Sequence, residues 1–457
     1  MDAIFDLAQM VVNTRYENIP DSVKVAAKNH MLDTLGCCLV GSALPECIQL
    51  VKQIQEWGGR GESTIMAFGD KVPAPMAALA NGSFPRAPDY EDTHDRGIVH
   101  CGGPVIAAAF AIAEKMGGVN GKDLITAAVL GVDIMCRLSL ACKRLVTKAG
   151  FSRSAFFGGF GAAAVAGKLL NLDHDKLVNA FGIAYQQASG SIQCVSDAAQ
   201  SKSLHTGFAA QQGVVAAELA ARGITGARHS LEGEFGLFNV YENGDYDRDA
   251  LVSELGKRFE VVNLSFKPYT SCRLTHGAID ATLELVQRHD IKPNEIKGIT
   301  VSTGEDGRLV SEPLEQKKRP ASMVDAQFSI PYLVAVAAVK RKVGIKDVAP
   351  ESLGNPDVLR VAQLVKPQVD AGFTSLAISP TSVTIEIKDN SIYSERVDFP
   401  YGSPQRRMKK ADMENKFRDC ANSAAKTITD RATEELIQIL RSLEEIQDVS
   451  SIVALVS

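Results

Sequence analysis

The 457 residues carry a formal net charge of -5, with 45% hydrophobic and 23% charged side chains, the balance of an ordinary globular chain long enough for more than one core. That charge excludes a general pull on nucleic acid, and no basic run interleaved with aromatics supplies a local one. The longest unbroken apolar stretch, 104–113, ends at Glu114, short of the roughly 18 residues that read as a membrane span; Asp2 and Asp6 stand where a secretion signal would be basic, so a soluble, cytoplasmic protein is expected.

Taken in chain order, apolar residues recur at helical spacing up to about residue 265. Over 22–40 the residues Val23, Val25, Ala26, Met31, Leu32 and Leu35 define an apolar face, and 103–116, 122–142, 155–170, 175–187 and 204–222 show the same period. The Gly- and Ala-rich run Gly158 to Ala164 lacks Walker spacing, so close helix packing accounts for it better than a phosphate loop. Near Lys267 the texture changes: a helix over 275–288, a strand-like 299–302, a helix over 327–340, then alternating segments 382–387 and 394–399. Helical spacing returns from Lys409, with Met413, Phe417, Cys420 and Ala421, then Leu436, Ile439 and Leu440. The expected fold is mainly α: a large all-helical domain made of residues 1–266 and completed by 402–457, with a smaller α+β lid inserted at 267–401.

Three clusters carry chemistry. The first, Asp89 to Gly103, gathers Asp89, Glu91, Asp92, His94, Asp95 and His100 between Ala-rich helices, and loops held by rigid helices commonly bear function. Its plain alternative is a solvated acidic loop with a helix cap. A metal site from Asp89, Asp92, His94 and His100 lacks the HExxH or facial-triad spacing, so no metal is expected. The second, Ser201 to Gly207, puts Lys202 at a helix start, where the macrodipole favours anions and a cation is costly unless an anion joins it; alone, it reads as a surface lysine. The third, Lys267 to Gly277, gathers Lys267, Tyr269, Cys272, Arg273 and His276 around Pro268 at the change of texture, although a lone histidine is more often structural. The nine cysteines contain no CxxC pair, which fits reduced thiols better than a disulfide, zinc or iron–sulfur framework.

Together these clusters resemble the MmgE/PrpD family: a D-x-D-D-T segment followed by a histidine and glycines, a K-x-L-H-x-G helix start and a K-P-Y-x-x-C-x-x-x-H junction. Lys168 to Leu172, Phe235-Gly236 and Asp325 to Tyr332 extend the likeness across nearly the whole chain. Glu91 departs from it in place of an aspartate, as does Cys101 in place of a proline. The resemblance implies a helical domain with an inserted lid, a homodimer, and enzymes that dehydrate 2-methylcitrate, decarboxylate cis-aconitate or epimerise iminodisuccinate. It carries active-site roles to Asp89, Thr93, His100, Lys202, His276 and Tyr332.

Each of these reactions builds negative charge beside a carboxylate, which cations must stabilise. Lys202 is expected to do so, with Lys267 and Arg273 as carboxylate clamps, Thr93 and Tyr332 as further substrate contacts, and Asp89 orienting substrate or base. Histidine titrates near neutrality, which makes His100 and His276 the expected acid/base pair. No step demands a cofactor. The expected function is a cofactor-independent lyase, a decarboxylase or dehydratase, acting on a small di- or tricarboxylic acid, with the named residues converging on one polar pocket. The alternatives are an epimerase and a non-catalytic polycarboxylate-binding homologue.

Overall fold

A computed structural model describes residues 1–144, 146–373 and 378–457, apart from the side chains of residues 147 and 148. The chain forms two compact units, one from 1–264 with 409–457 and one from 265–408. The first is helical apart from a short antiparallel pair, Ser63–Thr64 with Lys71–Val72, which the expected all-helical reading did not include. Its closest helix contacts are made by alanine and glycine, whose small side chains let backbones approach. A Cβ added at Gly213 would lie 2.3 Å from Ala162 Cβ, and one at Gly158 2.7 Å from Ala209 Cβ, so nothing larger fits where Arg153–Leu169 crosses Leu204–Ala221. The Gly158 to Ala164 run is thus helix-packing surface.

Two details differ from expectation. Val25 is 51% exposed, and Asp21–Ser42 has no single apolar face because it is buried almost continuously from His30 to Ser42, with the late helix Lys410–Ala421 packed on it. Gly121–Ala141, in turn, is long and apolar enough to cross a membrane. Counting unbroken apolar runs overlooked it because Asp133 and Arg137 interrupt the helix. These two pair at 2.6 Å with both side chains buried, and Arg137 donates to the carbonyls of Leu251, Ser253 and Arg258. A buried ion pair needs such full satisfaction to persist, and here the protein interior provides it; 94% of the helix's 18-residue apolar window is buried.

The second unit holds a four-stranded sheet in the spatial order 365–369, 296–303, 381–387, 392–397. Val365–Val369, absent from the sequence reading, pairs in parallel with Ile299 to Thr303; Pro367 breaks its alternation, and an edge position tolerates the missing donor. The helix expected over 327–340 starts later, at Ile330, because Ser329 caps it by accepting from Tyr332 N and Pro331 sits in its first turn. The 401/402 boundary also moves, to 408/409. Gly402 explains this: Phe266 N donates to its carbonyl at 2.9 Å, φ is +87°, and a Cβ there would meet Phe266 O at 1.9 Å. The segment after 401 therefore closes back onto the first residues of its own unit.

Candidate active site

The acidic loop is buried, not solvated. Asp89, Glu91, Asp92, Thr93 and His94 all lie below 5% exposure, so each charge requires a partner. Asp92 serves as a helix cap: its carboxylate accepts from Cys101 N at 3.0 Å and Gly102 N at 2.8 Å, at the positive start of Gly102–Met116. His30 Nε2 stands 3.2 Å from the same carboxylate. Burial alone would push this carboxyl up, but His30 and the amides outweigh it and bring it down to about 2. The close fit needs glycine, since a Cβ at Gly102 would come within 2.6 Å of Asp92 Oδ1 and 2.3 Å of Thr34 Oγ1.

Asp89 and Glu91 do different work. Lys202 Nζ donates to Asp89 Oδ2 at 3.0 Å, and Arg86 Nη1 reaches both Asp89 at 3.3 Å and Glu91 at 2.6 Å. Burial lowers the Lys202 pKa against the opposing pull of Asp89. Asp89 adopts φ +52°, a left-handed conformation uncommon outside glycine and typical of places where the surrounding structure over-determines the backbone. His100 Nδ1 lies 2.8 Å from Asp92 O and 3.2 Å from Glu91 Oε1. A carbonyl only accepts, so Nδ1 carries a proton, and in the neutral ring Nε2 holds the basic lone pair. The His100 backbone is held by Ser154 Oγ, which accepts from its N–H at 2.9 Å. Arg86, His30 and Ser154 have no motif to announce them; only the position of Arg86, three residues before Asp89 and five before Glu91, was a usable signal.

His94 points elsewhere. Its Nδ1 accepts from Gly97 N at 2.9 Å and its Nε2 faces Glu260 at 3.2 Å, pinning the turn that brings Val99 back to it. Among the described residues, no group of three or more His, Cys, Asp or Glu is arranged to hold a metal ion. Next to Lys202 in sequence, His205 Nε2 lies 3.3 Å from Cys194 Sγ; burial, aided by the charge of Arg86, lowers this imidazole to about 4.

In the second unit the junction cluster is tied together by Asp280, which accepts from Tyr269 OH at 2.7 Å, Tyr401 N at 2.6 Å and Arg406 Nη1 at 3.1 Å. Lys267 and His276 are fully buried. His276 Nδ1 is 3.3 Å from Arg273 Nη1 and its Nε2 is 3.3 Å from Ser271 O. A guanidinium only donates and a carbonyl only accepts, so the ring is a neutral Nε2–H tautomer with both nitrogens engaged. Arg273 also donates to Tyr401 O at 3.1 Å. Tyr332, expected as a substrate contact, donates its hydroxyl to Asp347 O at 2.8 Å inside the unit, and burial, with Asp347 nearby, raises it to about 12.

Comparison with known proteins matches residues 5–249 to the MmgE/PrpD N-terminal domain and 269–442 to the MmgE/PrpD C-terminal domain. A cis-aconitate decarboxylase of Aspergillus terreus is 26% identical over 99% of this chain and 95% of its own length. The cis-aconitate decarboxylase of Homo sapiens is 26% identical over 96% of this chain and 91% of its own. A 2-methylcitrate dehydratase of Cupriavidus necator is 24% identical over 86% of this chain and 84% of its own.

Proposed function

Because the chain belongs to the MmgE/PrpD family, we propose that it is a lyase that removes carbon dioxide from a small tricarboxylic acid of the cis-aconitate kind, with loss of water from a 2-methylcitrate-like acid as the neighbouring reaction. The observation that carries this reading is the buried Lys202–Asp89 pair, with Asp89 in the same loop as the partly exposed His100, whose side chain is 15% exposed. A substrate carboxylate competes with Asp89 for the Lys202 ammonium, where low dielectric magnifies the interaction. When the C–C bond to the departing carboxylate breaks, its electron pair spreads into the remaining conjugated carboxylate, and a cation next to that group lowers the barrier. His100 Nε2 then delivers a proton to carbon, with Glu91 beside Nδ1 to balance the imidazolium. Water loss uses the same nitrogen as the base that takes the proton from carbon, and the imidazolium so formed returns that proton to the departing hydroxide, which leaves as water. Decarboxylation is placed first because the decarboxylase relatives match this chain over more of its length than the dehydratase does.

Arg273 and Lys267 are assigned to carboxylate binding, and His276, neutral between Arg273 and Ser271, to orienting Arg273. Asp89 orients Lys202, Thr93 contributes a hydroxyl to the loop, and no cofactor takes part. The homodimer that the family resemblance implies belongs to the same reading; a monomer mass by light scattering would remove it. The decisive experiment is mass spectrometry of cis-aconitate and 2-methylcitrate after incubation with the enzyme. Loss of carbon dioxide from the first supports the proposal. Turnover of neither, with binding alone, would overturn it, and deuterium uptake from solvent with no loss of carbon dioxide or water would mark an epimerase.

A further inference from the structure

The late helix Lys410–Ala421 brings one charged residue into the interior of the first unit. Lys416 is 5% exposed and donates through Nζ to Asp33 Oδ1 at 2.7 Å and to the backbone carbonyl of Tyr90 at 2.7 Å. The ammonium also lies 3.9 Å from the centre of the Tyr90 ring, within cation–π range. Tyr90 is the residue between Asp89 and Glu91 and is itself buried. Asp33 belongs to Asp21–Ser42, the helix that supplies His30 to Asp92 one turn earlier. Close docking of the two helices is built in: a Cβ at Gly36 would stand 3.2 Å from the Phe417 ring.

We propose that Lys416, fixed by Asp33, is a positioning residue of the candidate site, setting the backbone at Tyr90 so that Asp89 meets Lys202 and Glu91 meets Arg86 and His100. Without substrate contact of its own, it acts through that carbonyl. A burial-only role would be satisfied by any well-packed replacement, because a buried ion pair is commonly exchanged for apolar residues at no loss of stability. A positioning role is not, since a displacement of about 1 Å at reacting groups can cost about a hundred-fold in rate.

The inference rests on the acidic loop being catalytic, and its test separates the two. Lys416→Met alone strands Asp33 and is expected to lower stability and turnover together. The double variant Asp33→Asn with Lys416→Met, and as a second choice Asp33→Leu with Lys416→Met, removes both charges. In whichever double variant recovers the wild-type thermal midpoint, kcat on cis-aconitate should remain reduced at least about ten-fold with KM little changed. Backbone amides of 89–93 should exchange with deuterium roughly ten-fold faster, with Gly121–Ala141 unaffected. Wild-type kcat together with unchanged exchange in the loop would overturn the proposal. If the wild-type enzyme fails on cis-aconitate, or Asp89→Asn keeps full turnover, the functional reading falls instead, while the exchange measurement still decides the role of Lys416.

Discussion

Lys202 lies under two opposing effects, with burial driving the ammonium toward its neutral form and Asp89 at 3.0 Å holding the proton in place. Its replacement by methionine keeps the length of the side chain and removes the charge; Asp89 retains Arg86 at 3.3 Å, so folding should survive. The expected outcome is a fall in kcat/KM on the order of a hundred-fold, and wild-type kcat/KM would refute the assignment. His205 supports a second prediction. Its unfolded-state pKa of 6.5 falls to about 4 in the folded chain, so between these values the unfolded chain binds the extra proton and acid destabilises the fold. At about 1.4 kcal/mol per unit, going from pH 7 to pH 5 should cost about 2 kcal/mol at this residue alone. Denaturant titrations of wild type and His205→Gln at the two pH values should show the variant losing less by that amount; equal slopes would mean that His205 titrates normally.

At the scale of elements, the start of Gly102–Met116 and the acidic loop form one device, because the Asp92 carboxylate that stiffens the loop also satisfies the free amides at the head of the helix. Gly102→Ala should force Thr34 and Asp92 aside, at about 1–3 kcal/mol for overpacking, and lower kcat as the loop shifts, measured by denaturant midpoint and turnover on cis-aconitate. An alanine accommodated with neither effect would show that the cap is not coupled to the site. In Arg153–Leu169 and Leu204–Ala221, Ala and Gly follow helical spacing, and that spacing was readable in advance. The edge strand Val365–Val369 was not, because it is short, its alternation is broken by Pro367, and its identity comes from pairing with residues some 66 positions earlier.

For the whole molecule, the prediction is that turnover needs no metal, since the candidate ligands of the acidic loop are engaged otherwise: Asp92 caps a helix, His94 pins a turn, and Asp89 and Glu91 face cations. Prolonged chelation followed by gel filtration should leave turnover of cis-aconitate unchanged. Loss of activity restored by one added divalent ion would reassign the loop as a ligand set. The unit boundary at 408/409 belongs to this scale as well, because a seven-residue extension past the expected boundary is decided by Gly402 closing on Phe266 and by Arg406 reaching Asp280.

Amino-acid order alone determined the mainly helical texture, the change to mixed structure near Lys267 and the residue types gathered in the three clusters, because periodicity and local motif chemistry are written in neighbouring positions. Tertiary structure alone decided what each charged residue does. Lys202 meets Asp89 across 113 positions and Lys416 meets Tyr90 across 326, while Tyr332, close to its motif, spends its hydroxyl on Asp347 O. The physical reason is burial: a polar group removed from water must find its partner wherever the fold brings one, and that partner need not be a neighbour in sequence.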